Sequence, residues 1–391
     1  MKIQTDILHL QISNSTSMRT ASRFLLFLSA IFFISKNAHA QTDDYDYGDD
    51  SYLSMNGYVD TYYAHYTDSM AMGADQKFPF VSPKSDRFGL NMAMITGRYD
   101  GESTRGVIAF HMGDIPRNMW PSQFNFISEA HAGVKLTNKL WLDAGFFRDP
   151  FGGEKAYPRE NFCSSRAINT YYESQYECGA RLEYLMGYDG NWSLDLYGLN
   201  GYNMYSDNNK KKSFASQLMY RWDSEDGKAG YSNYIGDDTP NGADTISHLR
   251  VEHNLFVNFP TYFGVRFQLA GDYATQKNSS LANASDKGKM YGYTANMKYA
   301  INDKLNAYGR YETFHDRHGF MSTRFIDSRG YITGYMMKGV TLGVEYKPSG
   351  NSYLRVESRE IIMDKNQKLF YWNGKTTNKR NEIALSLGAY F

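Results

Sequence analysis

The chain has 391 residues and carries 42 Lys and Arg against 42 Asp and Glu, so no net charge attracts nucleic acid. Its mean hydropathy of −0.57 excludes a helical membrane protein, which needs several apolar runs of about 20 residues. Aromatic residues make up 16% of the chain, too many for a disordered protein. A polar chain rich in Tyr, Phe and Gly suits strands with one wet face and one apolar face.

Residues 1–40 have the features of a secretory signal peptide. Arg19 and Arg23 precede an apolar run at 24–34, and Ala38-His39-Ala40 is a small-x-small cleavage motif. The apolar run is too short to cross a bilayer as a helix. We therefore expect export and cleavage after residue 40.

Export also sets the predicted domain boundaries. Met18 begins a complete signal by itself and is an alternative start of the chain. Residues 41–50 hold five Asp and are predicted to form a solvated acidic tail. Residues 51–391 are predicted to form one domain.

Two-residue alternation of apolar and polar side chains is the main structural signal of this domain. Near the C-terminus, Ile383, Leu385 and Leu387 share one face, while Glu382 and Ser386 share the other. The pattern recurs at 124–136, 176–186, 192–198, 249–259, 263–273, 305–313 and 352–359. The apolar face is rich in Tyr and Phe, as in the aromatic girdles of membrane barrels. An exported chain without spanning helices can cross a bilayer only as a closed barrel, which is the predicted fold.

The spacing of turns predicts the number of strands. Seven short polar turns lie at 99–102, 137–139, 188–191, 223–228, 258–261, 300–304 and 347–352. Eight longer polar stretches lie at 68–84, 113–123, 148–173, 200–212, 237–244, 275–287, 315–330 and 361–379. The count predicts an all-β, antiparallel, up-and-down transmembrane barrel of about sixteen strands, and 14 or 18 strands would also fit the spacing. Short periplasmic turns and long external loops would place both termini in the periplasm of a Gram-negative bacterium.

Several glycine- and aromatic-containing motifs lie within 130–200. They are Ala132-Gly133-Val134-Lys135-Leu136, Leu140-Trp141-Leu142-Asp143-Ala144-Gly145, Tyr176-Glu177-Cys178-Gly179-Ala180-Arg181-Leu182, Trp192-Ser193-Leu194 and Leu199-Asn200-Gly201. In these motifs the chain resembles the OmpL-like outer-membrane β-barrel porins. This resemblance implies a pore-forming barrel for small solutes. It implies neither a catalytic residue nor a cofactor. The sequence departs from the family pattern at Asp149-Pro150-Phe151 and at Cys178.

The longest polar stretch, 148–173, is the predicted third long loop. We expect it to fold inward and narrow the lumen, although an outward loop that caps the barrel is the alternative. Its charged candidates for the constriction are Arg148, Asp149, Glu154, Lys155, Arg159, Glu160 and Arg166. Cys163 in this loop and Cys178 in the next strand could form a disulfide or remain two unlinked thiols.

Charged residues on the polar faces of the strands are predicted to line the pore. The wall candidates are Arg181, Glu183, Arg250, Arg266, Arg310, Glu312, Arg355 and Glu357. Facing the charges of the loop, they would set up a transverse field that selects solutes. Alternatively, these residues only brace the wall.

Signals for other chemistry are weak. His315 and His318 could bind a metal, but two His without a nearby Cys fall short of a zinc site. No Gly-x-Ser-x-Gly motif indicates a hydrolase. Lys210-Lys211-Lys212 is read as a solvated external loop, with lipopolysaccharide headgroups as an alternative partner.

Two functional hypotheses follow from the sequence. The first is a porin that lets small hydrophilic solutes diffuse through a water-filled lumen, without a cofactor or an enzymatic activity. The second is a non-transport barrel with a plugged lumen, whose external loops serve adhesion or partner binding. Outer-membrane lipid and lipopolysaccharide are the expected surroundings, and a homotrimer is compatible with a barrel of this size.

Overall fold

The computed structural model describes most of the predicted domain. It covers residues 52–391 apart from 72, 79, 149, 188–190, 223–225 and 244–245. The predicted signal peptide at 1–40 and acidic tail at 41–50, as well as Asp149, lie outside the described residues.

Sixteen antiparallel strands form a closed barrel in which each strand pairs with its neighbours in the chain. They are β1 (Tyr52–Tyr66), β2 (Arg87–Asp100), β3 (Thr104–Met112), β4 (Ile127–Thr137), β5 (Leu140–Arg148), β6 (Tyr176–Met186), β7 (Trp192–Leu199), β8 (Ser213–Arg221), β9 (Lys228–Gly236), β10 (Arg250–Asn258), β11 (Val265–Gln276), β12 (Gly288–Ala300), β13 (Leu305–His315), β16 (Met336–Tyr346), β17 (Ser352–Met363) and β20 (Lys379–Tyr390). The last strand, β20, pairs with β1 and closes the ring. The predicted fold and strand number are confirmed.

The remaining elements are short and lie in the long loops. Two hairpins, β14 (Phe325–Ile326) with β15 (Ile332–Thr333) and β18 (Phe370–Trp372) with β19 (Lys375–Thr377), are separate small sheets. The helices are Asp114–Met119, Ile168–Tyr172 and a 3-10 turn at Pro158–Glu160. None of the described helices has the length and apolar character to cross a membrane.

The two-residue alternation separates an outer face from an inner one. In β20, Ile383, Leu385 and Leu387 are exposed on the outside, while Glu382 and Ser386 are buried inside. In β12, exposed and buried residues alternate over nearly the whole strand. This pattern results from the pleat, which points successive side chains to opposite faces of a sheet.

The two ends of the barrel differ in the length of their connections. Seven short turns join alternate strands at one end, and eight longer loops join them at the other, as the polar stretches predict. The start of β1 and the last residue, Phe391, lie at the short-turn end, where Gly57 N donates to Phe391 O at 2.7 Å and Phe391 N donates to Gly57 O at 3.0 Å. This geometry follows from an even number of strands.

Inward-pointing Tyr rings pack onto strand glycines and limit what these positions tolerate. A Cβ added to Gly388 would lie 2.2 to 2.6 Å from ring atoms of Tyr353. The Tyr353 hydroxyl in turn donates a hydrogen bond to the buried Asp60. Because this ring is held at both ends, it cannot easily move aside for a methyl group.

We expect Gly388→Ala to lower the free energy of unfolding by about 1–3 kcal/mol through overpacking. Urea unfolding in phospholipid vesicles, followed by Trp fluorescence, measures the change. Gly198→Ala is the matched control, because a Cβ at Gly198 would meet nothing within 4 Å. Equal losses in the two variants would contradict the packing argument.

Candidate functional site: the lumen of the barrel

The described part of the connection between β5 and β6, residues 150–175, is bound to the inner wall of the barrel. The backbone N–H groups of Ser164 and Ser165 donate to the Glu357 carboxylate of β17 at 2.8 and 3.1 Å. The Ser164 hydroxyl also lies 2.8 Å from the Ser386 hydroxyl of β20. The loop therefore reaches strands that are distant from its own along the ring.

The strongest anchor is on β13, which stands eight strands from β5 in the ring of sixteen. Arg310 donates to the backbone oxygen and to the hydroxyl of Ser165, both at 2.7 Å. Its guanidinium lies 3.6 Å from Glu154 of the loop and 3.4 Å from Glu312 of its own strand. Glu312 accepts a hydrogen bond of 2.6 Å from Ile168 N. The loop thus extends across the lumen to the opposite side of the ring.

Amide side chains hold the first part of the loop. Gln217 of β8 donates to Pro150 O at 3.0 Å, and Gln268 of β11 donates to Gly153 O at 3.1 Å. These donors satisfy backbone carbonyls that would otherwise be buried without a partner. Contacts on β8, β11, β13, β17 and β20 together fix the course of the loop.

Four wall candidates are covered by the loop, although one of them, Arg355, also lines a cavity toward the short turns. The side chains of Arg310, Glu312 and Arg355 are at most 3% exposed, and Glu357 is also buried. Arg355 donates to the loop carbonyls of Pro158 and Cys163 as well as to Glu345. All four charged groups form hydrogen bonds with the loop, which favours the bracing alternative over a transverse field at these positions.

The other wall candidates are distributed around the lumen. Arg181 forms an ion pair with Asp143 at 3.0 Å, and Glu183 pairs with Arg105 at 2.7 Å. Arg250 lies 3.6 Å from Asp238 and covers the ring of Tyr202. Arg266 lies 3.6 Å from Asp226, with its side chain 39% exposed.

The loop candidates have different environments. Arg148 pairs with Glu160 at 3.2 Å and covers the ring of Tyr157. Arg159 covers the ring of Tyr58 at 4.9 Å. Glu154 is buried and accepts a hydrogen bond from Ala167 N. Lys155 donates hydrogen bonds to Phe151 O and Gly152 O. Arg166 is buried and donates to Thr170 O and to the side chain of Gln175.

The suggested disulfide is not formed, and both cysteines are free. Cys163 packs with Phe162 and Tyr308, and its Sγ lies 3.8 Å from Asn296 Oδ1 of β12. Burial raises the pKa of the Cys163 thiol. Cys178 sits on β6, six strands away from β12 in the ring. The inward course of the loop separates the two residues, although they are close in sequence.

A buried carboxyl group lies at the end of the loop. Glu173 accepts a hydrogen bond from Asn254 at 3.3 Å. Burial raises the pKa of Glu173 well above its usual value, the Asp272 carboxylate raises it further, and Arg166 opposes the shift. The raised pKa favours a neutral carboxyl group at this position.

The loop borders a cavity toward each end of the barrel. Toward the long loops, Tyr171 and Tyr172 line a cavity of about 310 Å³ together with Arg250 and Tyr202. Toward the short turns, residues 159–162 line a cavity of about 290 Å³, here called the lower cavity. The loop therefore lies between the two cavities.

Sequence reasoning missed several residues of the lower cavity. Besides the candidates Arg159, Glu160, Arg266 and Arg355, the lining includes Asp226, Lys228, Lys298, Glu345 and Lys347. Lys228 and Lys298 lie on the polar faces of β9 and β12, so the two-residue alternation, applied to every strand, would have identified them. Their closeness to Arg266 depends on strand register, which the alternation does not reveal.

The weak metal signal receives no support. His318 accepts a hydrogen bond from Leu281 N through Nδ1, and His315 stacks on Tyr291. Asp316 accepts loop N–H groups, including that of Ser322 at 2.7 Å. Within the part of the chain that the structure describes, no group of three His, Cys, Asp or Glu could hold a metal ion.

Comparison with known proteins agrees with this architecture. The model of the family described as putative beta-barrel porin-2, OmpL-like matches residues 52–391. The chain belongs to this family. Both the family and the fold indicate an outer-membrane channel and not an enzyme. The search of curated proteins found no match to this OmpL-like porin.

Solved structures with the same fold are distant in sequence. The outer membrane channel DcaP of Acinetobacter baumannii is similar with a TM-score of 0.59 and 12% identity, over 87% of this chain and 97% of that one. OmpT of Vibrio cholerae without loop L8 gives a TM-score of 0.55 and 14% identity, over 87% and 99%. Another structure of that protein, in a trimer form, is similar with a TM-score of 0.53 and 14% identity, over 87% of this chain and 99% of that one.

Proposed function

We propose that this OmpL-like porin lets small hydrophilic solutes diffuse through its lumen, with residues 148–173 as the constriction. A barrel of sixteen strands is wide enough to leave an aqueous channel. The observation that supports the constriction is that the loop contacts the wall on β13 and borders a cavity on each side. No cofactor is needed, because passage is diffusion down a concentration gradient.

The surroundings of the barrel are part of the same proposal. The exposed apolar side chains of the outer face, such as Leu255, Leu342 and Leu385, suit contact with outer-membrane lipid. The short turns and both termini would face the periplasm of a Gram-negative bacterium. In the loop at 210–212, Lys211 and Lys212 pair with Asp237 and Asp207, so Lys210 is the better placed for lipopolysaccharide. A homotrimer is consistent with the trimer form of the Vibrio cholerae neighbour.

A plugged barrel used for partner binding is the second candidate, and one observation favours it. Aromatic rings from separate long loops pack together at the long-loop end. Phe78 contacts Tyr335 at 5.1 Å and Phe370 at 6.0 Å between ring centroids, and Phe325 contacts Tyr335 at 5.5 Å. Such a cluster could close the entrance.

Purified protein in planar bilayers and in liposomes tests the two candidates. A porin gives steady single-channel current, and liposome swelling rates fall with increasing solute size for sugars and amino acids. A plugged barrel gives neither current nor swelling. Absence of both signals with correctly folded protein, as judged by resistance to SDS before heating, would refute the pore.

A further inference from the structure

The strand register places like charges opposite each other on the inner face of the barrel. Arg221 of β8 pairs with Lys228 of β9, and Arg266 of β11 pairs with Lys298 of β12. All four residues are on the inward side of the two-residue alternation. Like charges directly opposite each other destabilise a sheet. These pairs of like charges therefore do not stabilise the barrel, and they give this part of the inner wall a positive charge.

The carboxylates near these residues compensate the charge only in part. Lys298 and Arg355 share one carboxylate, that of Glu345, at 2.6 and 2.7 Å. Arg266 lies 3.6 Å from Asp226, and its Nε has no hydrogen-bond partner among the described residues.

Lys228 is compensated even less. The charges that act most strongly on its ammonium are the cations of Lys155, Arg221 and Arg266 and the carboxylate of Glu160, and it lies directly opposite Arg221 in the sheet. Glu160 is itself engaged with Arg148 at 3.2 Å. Several positive charges thus lie together where β9 meets the loop.

These side chains meet at the lower cavity. Its described lining holds six cationic side chains, from Arg159, Lys228, Arg266, Lys298, Lys347 and Arg355, against three carboxylates, from Glu160, Asp226 and Glu345. Asn161 and Asn258 add amide groups. A volume of about 290 Å³ accommodates a small polyatomic anion with part of its water. A cleft of one charge sign with low-dielectric walls concentrates ions of the opposite sign.

We propose that the lower cavity is a binding site for small multivalent oxyanions, which Lys228, Arg266 and Arg159 contact through charge-assisted hydrogen bonds. Phosphate and small polycarboxylate groups share this chemistry, since both offer several negative oxygens to Arg and Lys. The inference extends the proposed function: the pore prefers anions, and the preference arises at the short-turn end.

Ion selectivity in planar bilayers is the first test. In a KCl gradient, the reversal potential of the wild type should indicate preference for chloride. The variant Lys228→Gln with Arg266→Gln should lower the chloride-to-potassium permeability ratio roughly twofold or more. Lys289→Gln is the matched control, because this Lys lies on the outward face of β12, and it should leave the ratio unchanged. Arg266→Gln alone replaces the double variant if the latter does not assemble.

Binding of inorganic phosphate to detergent-solubilised protein is the second test, and it does not depend on current. Calorimetric titration should show phosphate binding to the wild type and to Lys289→Gln, with at least a severalfold loss in the double variant. Succinate should compete with phosphate, and uncharged glycerol should not.

The two tests separate the anion site from the pore. Phosphate binding that depends on Lys228 and Arg266 in a barrel without current would support the site and overturn the pore. A conducting wild type without chloride preference would overturn the site and leave the pore standing. A double variant that keeps the ion selectivity and the phosphate affinity of the wild type would also overturn the site and leave the pore standing.

Discussion

The variant Arg310→Ala should lose about 3 kcal/mol of its free energy of unfolding, as is typical when a buried ion pair loses one partner. The guanidinium is fully buried between Glu154 and Glu312 and holds Ser165 through two hydrogen bonds of 2.7 Å. Removing it leaves the Glu154 carboxylate without an ion-pair partner among the described residues. Glu312 keeps Arg359 at 2.7 Å, so it is less affected.

Release of the loop limits this loss, because water can then reach the two carboxylates. We therefore also expect Arg310→Ala to show larger current fluctuations than the wild type. Urea unfolding in lipid vesicles and single-channel recording measure the two effects. Arg266→Ala is the control, since its partly exposed ion pair contributes less than about 1 kcal/mol. A loss below that of the control would contradict the anchoring role of Arg310.

Excision of the loop should have the largest effect on conductance. Replacing residues 154–171 by a short Gly-Ser connection removes the contacts with β13, β17 and β20 and joins the two cavities. Arg148 and Tyr176 are directly paired neighbours on β5 and β6, so a shortened connection can link the strands without disturbing their register. We expect single-channel conductance to rise several-fold, toward that of an unobstructed barrel of sixteen strands.

Deletion of residues 281–285 is the control for loop length. These residues are exposed in the loop between β11 and β12, and their removal should leave the conductance within the scatter of the wild type. Unchanged conductance after excision of 154–171, in a protein that still conducts, would place the constriction elsewhere. No current before or after excision would favour the aromatic cluster around Phe78 and Tyr335 as a plug.

The wall of the barrel could be predicted from local patterns. Alternation in residues 379–390 identifies which side chains face outward, because every second side chain of a pleated strand points to the lipid and is therefore apolar. The polar stretches located all fifteen connections, since tight turns and solvated loops need characteristic residues. The two small hairpins, β14 with β15 and β18 with β19, were missed, as they are too short to show a period.

The inner site was predicted only in part. The sequence singled out the loop 148–173 and candidates such as Arg266, but it gave no sign that Arg310 and Glu357 hold the loop by hydrogen bonds. Whether an inward charge binds a loop or faces water depends on where a distant segment comes to lie. Of the two alternatives for Cys163 and Cys178, the structure has the unlinked thiols, because a loop that crosses the lumen separates residues that are close in sequence.

The sequence alone determined the fold, which is a closed antiparallel barrel. It also determined which side chains face outward or inward and which end has the longer loops. These properties are local, since they depend on side-chain period and turn chemistry within about twenty residues. Only the tertiary structure decided that the loop spans the lumen to β13, and that Lys228, Arg266 and Lys298 meet at one cavity. Such meetings depend on strand register and ring closure, which relate residues far apart in the chain.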